Sequence, residues 1–368
     1  MIARNLAPLV LGLALVGCGP PGGTAFVRAY ASGDKAYTAG RFVEAADAYE
    51  QAAKTASRDR DHDEALYAAA VARERAGDVQ GALKHFDALA AEDPPGERAI
   101  RSAFRAARLR LRNGEEKRGW ADLEKILERS PEHGITRRAL KSILDHIEET
   151  EGKPAVMAWE EKLFPHVAKT RLGEELCYDL AHRREALGDE KAALAQFLAC
   201  ADQYPYPRGA LWDDSLWHAS RLHEKLGEPK AAVADLERML AAREPSYGNG
   251  SYNRPRMAAA QFRIGVLQRD VLKDPKSARA SFHRVYAEHL SSILRARSLF
   301  EEAKVASDAG DGKDACALAE KLLAEFEESR WARSADQVCA AVGPKAEALR
   351  KKRAEKRAKG VKDEPAEE

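Results

Sequence analysis

Six glycines, Gly40, Gly77, Gly114, Gly152, Gly188 and Gly227, recur at intervals of 37, 37, 38, 36 and 39 residues. A spacing this regular means that the chain is assembled from copies of one supersecondary unit, none of which can bury its apolar face alone. Each copy reads as an apolar-periodic helix, a glycine turn and a second helix. Five residues after the glycines stand Ala45, Ala82, Gly119, Met157, Ala193 and Ala232, where a small side chain lets the two helices of a hairpin approach closely. Four residues further on, Tyr49, Phe86, Leu123, Glu161, Phe197 and Leu236 are expected to fill the hairpin interior. Pro94, Pro131 and Pro205 close second helices, because a helix cannot continue through a residue with no N–H and a clashing ring. The fourth unit fits least well, since Pro154, Met157 and Glu161 all depart from the pattern.

The joint recurrence of these positions resembles the tetratricopeptide repeat over residues 26 to about 342. The resemblance implies an all-α fold, a TPR-type α-solenoid in which antiparallel hairpins stack as a right-handed superhelix. Units 1–6 are expected over residues 26–242. Residues 243–256, rich in Gly, Tyr, Asn and Pro, form a loop or hinge. Two less regular units and a capping helix occupy 257–342; one carries Gly265, Ala278 and Phe282 with Asp274-Pro275 at its turn, the other Gly310-Asp311, Ala315 and Leu322. Residues 343–368 read as a basic, solvated helix or tail, with anionic lipid or polymer as the alternative use of its charge.

Before the array, Met1 to Val16 reads as an export signal, with Arg4 followed by an apolar stretch too short to span a bilayer. It ends Leu15-Val16-Gly17-Cys18, which resembles the lipobox of bacterial lipoproteins. That resemblance implies removal of residues 1–17 and acylation of Cys18, with 18–25 as lipidated cysteine and flexible tether. Each buried CH2 contributes only about 0.8 kcal/mol, so stable anchoring needs more than one acyl chain. Gly19 rather than Asp after the acylated position favours, by the same resemblance, the outer membrane facing the periplasm. An ordinary secretory peptide with an incidental cysteine is the alternative. Mean hydropathy is −0.52 and no other long apolar run occurs, which excludes a polytopic helical membrane protein. The 60 Lys+Arg against 59 Asp+Glu give a formal charge of +1, so attraction of the whole body to nucleic acid is not expected.

The four remaining cysteines fall in two pairs of equal separation, Cys177 with Cys200 and Cys316 with Cys339. The midpoint of the first is the Gly188-Asp189 turn, which places its members opposite one another on antiparallel helices. Facing helices about 8–10 Å apart bring Cα atoms to roughly 4–6 Å, a distance a disulfide spans. The second pair is centred on Glu327-Glu328, with the same geometry. Bridges suit an exported chain; four small core residues are the alternative.

No nucleophile elbow, phosphate loop or dinucleotide fingerprint occurs, and the histidines show no metal-ligand spacing. No cofactor, metal or catalytic role is expected, and acidic pairs such as Glu160-Glu161 and Glu301-Glu302 read as solvated helix faces. The informative positions are aromatic. Tyr30, Tyr67, Phe104, Tyr178, Trp217, Phe262 and Phe300 share the fifth position of the repeat, with Ser142 missing from the series. In the family resembled, this position faces the concave, peptide-binding side; packing between successive first helices is the alternative. Arg101, Arg108, Arg112, His182, Arg221 and Lys225 lie nearby and hint at acidic or extended peptides, although Glu74, Glu175, Glu185 and Glu224 share the surface. The expectation is therefore a lipid-anchored scaffold, not an enzyme, that binds envelope proteins or extended peptides. Its architecture is similar to that of the repeat lipoprotein of the β-barrel outer-membrane assembly machinery. A cell-wall spacer acting through the basic tail is the alternative function.

Overall fold

The computed structural model describes residues 23–242 and 256–358. The expected lipidation site Cys18, the signal segment and residues 243–255 of the expected loop lie outside these. The described residues contain helices and turns and no strand. They form two compact units divided after Leu172. In the first, four hairpins follow one another: α1 (Gly23–Thr38) with α2 (Phe42–Thr55), α3 (Asp59–Arg75) with α4 (Val79–Ala90), α5 (Glu97–Arg112) with α6 (Glu116–Arg129), and α7 (Gly134–Glu151) with α8 (Lys153–Val167). The second contains α9 (Arg171–Ala186) with α10 (Glu190–Gln203), α11 (Trp212–Lys225) with α12 (Pro229–Ala241), α13 (Arg256–Asp270) with α14 (Pro275–Glu288), and α15 (Arg295–Asp308) with α16 (Gly312–Glu325). Short 3-10 turns at Ala332–Gln337 and Ala340–Val342 then lead to α17 (Gly343–Ala358).

The hairpin turns work because a residue at positive φ reverses the chain, and in four of the eight described hairpins an aspartate then caps the second helix. Gly77 sits at φ 81°, where a Cβ would strain the backbone, and Asp78 follows. The Asp78 side chain accepts from the Gly81 N–H, covering a donor the helix leaves open. Asp189, Asp274 and Asp311 cap α10, α14 and α16 in the same way. The seventh hairpin has no glycine at its turn, and Lys273 takes the left-handed conformation there at φ 57°.

Inside the hairpins the small-then-large pattern forms the core. Ala45, Ala82, Ala193, Ala232, Ala278 and Ala315 are wholly buried, and Phe86, Leu123, Phe197, Leu236 and Phe282 are too. A Cβ on Gly119 would come within 2.7 Å of the Leu111 side chain, so the smallest residue is what that crossing admits. Each such large side chain contributes about 1.5–3 kcal/mol on leaving water.

The fourth hairpin departs from the expected register. Gly152 ends α7 and also caps α8, which begins at the next residue instead of one later. The inward positions therefore move back by one, to Val156 and Glu160, both wholly buried, while Glu161 is exposed. Two expectations are corrected here. Met157 and Glu161 are not the interior pair, and the acidic pairs are not simply solvated faces, because Glu160, Glu301 and Glu302 are buried.

Both cysteine pairs stand at bonding distance, with Cα–Cα separations of 5.8 Å for Cys177–Cys200 and 5.0 Å for Cys316–Cys339. The first ties α9 to α10; the second ties α16 to the turn that precedes Ala340. Where a capping helix is expected around Trp331, the chain instead makes its 3-10 turns, and α17 packs on them. Arg350 pairs with Asp336 at 3.0 Å, Lys352 with Glu327 at 3.3 Å and Lys356 with Glu328 at 2.7 Å. The basic segment is thus a docked helix as far as Ala358.

Candidate functional site: an arginine-lined groove

In the first unit the first helices α3, α5 and α7 lie side by side, α5 packing against both others. On α5, Arg101, Arg105, Arg108 and Arg112 fall at i, i+4, i+7 and i+11, one stripe of the helix. The opposite face carries Ile100, Ala107 and the other apolar residues that hold α5 in the stack. Arg75 from α3 and Arg138 from α7 join the stripe across a groove of about 670 Å³, with Tyr67, Phe104, Leu109 and Ile135 as its apolar lining. Six arginines therefore face one glutamate, Glu74, in this lining.

Glu74 neutralises part of that charge, accepting from Arg105 at 3.0 Å and pairing also with Arg112. Arg101 is held by Glu97 one turn earlier, and this contact raises its pKa. Arg108 lies over the Phe104 ring at 5.8 Å. Arg75, Arg108 and Arg138 are all exposed. Guanidinium does not lose its proton at any ordinary pH, so the groove stays positive throughout the physiological range. Planar donors above an apolar floor suit carboxylates carried on an extended backbone.

The aromatic series is distributed differently from its expected role. Tyr67 and Phe104 line the groove. The rings mostly meet the large residue of their own hairpin's second helix: Tyr30 with Tyr49 at 5.1 Å, Tyr67 with Phe86 at 5.9 Å, Tyr178 with Phe197 at 5.6 Å and Phe262 with Phe282 at 5.3 Å. Arginines from the following first helix cover several of them, Arg98 over Tyr67, Arg256 over Trp217 and Arg297 over Phe262. Phe104, Phe262 and Phe300 are buried, and Trp331 packs on Phe300 at 5.1 Å. Tyr30, Tyr178 and Trp217 are half-buried.

Arg101, Arg108 and Arg112 are the expected neighbours, Arg105 joins them through the period of the same helix, and Arg75 and Arg138 come from the adjacent first helices. A signal for two of these exists, because Arg75 and Arg112 are 37 residues apart, as are Arg101 and Arg138. Equal offsets of one repeat place residues at equivalent points of adjacent first helices. His182, Arg221 and Lys225 belong to the second unit. There, burial, with His182 alongside, pushes the His218 imidazole down to about 4.

A profile described as tetratricopeptide repeat matches residues 64–95, which run from α3 through α4. The second hairpin is thus a tetratricopeptide repeat. No curated protein matches this chain in sequence. Among solved structures, a tetratricopeptide repeat protein from Parabacteroides merdae is 15% identical, covering 75% of this chain and 98% of its own, with a TM-score of 0.32. PilF of Pseudomonas aeruginosa is 14% identical over 64% of this chain and 95% of its own, at a TM-score of 0.35. YrrB, described as a TPR protein with an unusual peptide-binding site, is 13% identical over 58% and 97%, at 0.36.

Proposed function

We propose that this protein is a non-catalytic scaffold whose first unit binds an acidic, extended segment of a partner protein in the arginine-lined groove. The observation that carries the reading is the convergence of six arginines from three first helices against a single glutamate. Binding by such a site draws on charge-assisted hydrogen bonds, with Tyr67 and Phe104 supplying rigid apolar area. The test is fluorescence anisotropy with two extended peptides of equal length, one rich in Glu and one neutral. The acidic peptide is expected to bind at least about tenfold more tightly, and the double variant Arg108→Glu/Arg138→Glu to remove that preference. Equal affinity for both peptides sinks the reading.

The place of work we propose is the cell envelope, with the chain anchored through acylated Cys18 to the outer membrane on its periplasmic side. The sequence Leu15-Val16-Gly17-Cys18 supports it, as do four further cysteines placed in bonding pairs, which persist in oxidising compartments. Cys18→Ser is expected to move the protein from the membrane fraction to the soluble fraction of cells; retention in membranes contradicts the anchor. A spacer role through the basic terminus is the weaker reading. Arg350, Lys352 and Lys356 already spend their charge on Asp336, Glu327 and Glu328.

A further inference from the structure

Sequence spacing gives the histidines no ligand pattern, yet folding brings two of them together. His182 on α9 and His218 on α11, the first helices of consecutive hairpins, have ring centroids 4.5 Å apart. Glu185 follows His182 by three residues and shares its face of α9, with a carboxylate oxygen 3.6 Å from His182 Nδ1. One ligand atom from each of the three side chains lies within 4.8 Å of the others, and all three residues are half-buried. Phe197 of α10 backs both imidazoles, edge-on to His182 at 5.0 Å and stacked on His218 at 5.1 Å. The rings are therefore held against an aromatic wall rather than left to rotate freely in solvent.

We propose that His182, Glu185 and His218 bind a divalent transition-metal ion of the zinc class and so clamp α9 to α11. Two imidazoles and one carboxylate are a donor set that zinc accepts, with the fourth position left to water or to a side chain of a partner. Calcium and magnesium select all-oxygen sites. Arg221 and Arg256 also put positive charge near His218, so an ion held here depends on coordination by the imidazoles rather than on attraction by charge. Bonds of about 2.0 Å in a tetrahedral site set ligand atoms roughly 3.3 Å apart, so closure asks for side-chain rotations of the order of an ångström. In an array whose stability is a sum of neighbour interfaces, such a clamp strengthens the link between the fifth and sixth hairpins whenever metal is bound.

The experiment is calorimetric titration of the untagged, metal-free full chain with zinc chloride, alongside cobalt chloride read by its visible ligand-field bands. One equivalent of zinc is expected to bind, to raise the melting temperature where magnesium does not, and to displace cobalt bound with nitrogen ligation. His182→Gln and His218→Phe, the second keeping a ring on Phe197, are each expected to weaken zinc by about tenfold or more, and far-UV circular dichroism checks that both variants stay helical. Zinc affinity unchanged in the double variant His182→Gln/His218→Phe overturns the proposal, as does a wild-type chain that takes up no stoichiometric zinc or cobalt.

Discussion

At the residue scale, the one-residue shift in the fourth hairpin gives the sharpest consequence. Because Gly152 both ends α7 and caps α8, interior status passes from Glu161 to its neighbour. Glu161→Ala is therefore expected to change unfolding free energy by less than about 0.5 kcal/mol. Phe86→Ala, at the equivalent interior point of the second hairpin, is expected to cost about 3–5 kcal/mol through lost burial and the cavity left behind. Urea titrations of the two variants against wild type decide it, and a Glu161→Ala loss comparable to that of Phe86→Ala would restore the unshifted register. Arg110 shows a different kind of commitment. Its guanidinium is buried between Asp87 of α4 and Asp122 of α6, joining three helices by charge.

At the element scale, α17 docks through buried Ala346 and half-buried Leu349 and through ion pairs, and the ion pairs make its docking sensitive to acid and salt. Hydrogen bonding from Arg350 holds the Asp336 carboxyl below its usual range, and Lys356 does the same to Glu328. A carboxylate with a lowered folded pKa contributes stability in full above its unfolded value near 4, and that contribution fades as pH falls through the folded value. Amide hydrogen exchange in Gly343–Ala358 is accordingly expected to quicken, relative to α13, around pH 3 and in high salt at neutral pH. Uniform quickening of α13 and α17 would mean that the ion pairs do not set the docking. The two bridges should also respond differently. Cys177 and Cys200 are both buried, whereas Cys316 is half-exposed, so mild reductant is expected to open Cys316–Cys339 first, as read by timed alkylation and peptide mapping. Opening either loop removes roughly 3 kcal/mol on the chain-entropy account of disulfides.

At the scale of the whole molecule, the formal charge of +1 conceals a local concentration of positive charge in the first unit. Acidic-peptide binding is therefore expected to weaken steeply between low and high salt, although a near-neutral chain exerts little long-range field. Affinity measured across a salt series tests this, and a flat dependence would assign binding to the apolar lining instead. The repeat plan, the turn positions and the Cys177–Cys200 pair are legible in the sequence because each depends on spacing along one hairpin, which helix geometry fixes locally, whereas Cys339 meets Cys316 from a 3-10 turn rather than from a facing helix. Ala82 and Phe86 are inside for that reason, their distance from the Gly77 turn being enough to place them. The aromatic series is legible as a recurrence but not as a role. Whether Tyr67 lines a groove while Phe262 is buried depends on what the next first helix lays over each ring. The same holds for the convergence of Arg75, Arg108 and Arg138, for the meeting of His182 with His218, and for the burial of Glu160. Sequence by itself determined an array of helical hairpins and where each turns. Tertiary structure alone decided which side chains of neighbouring hairpins meet, because those distances are set by packing between helices rather than by the 3.6-residue period within one.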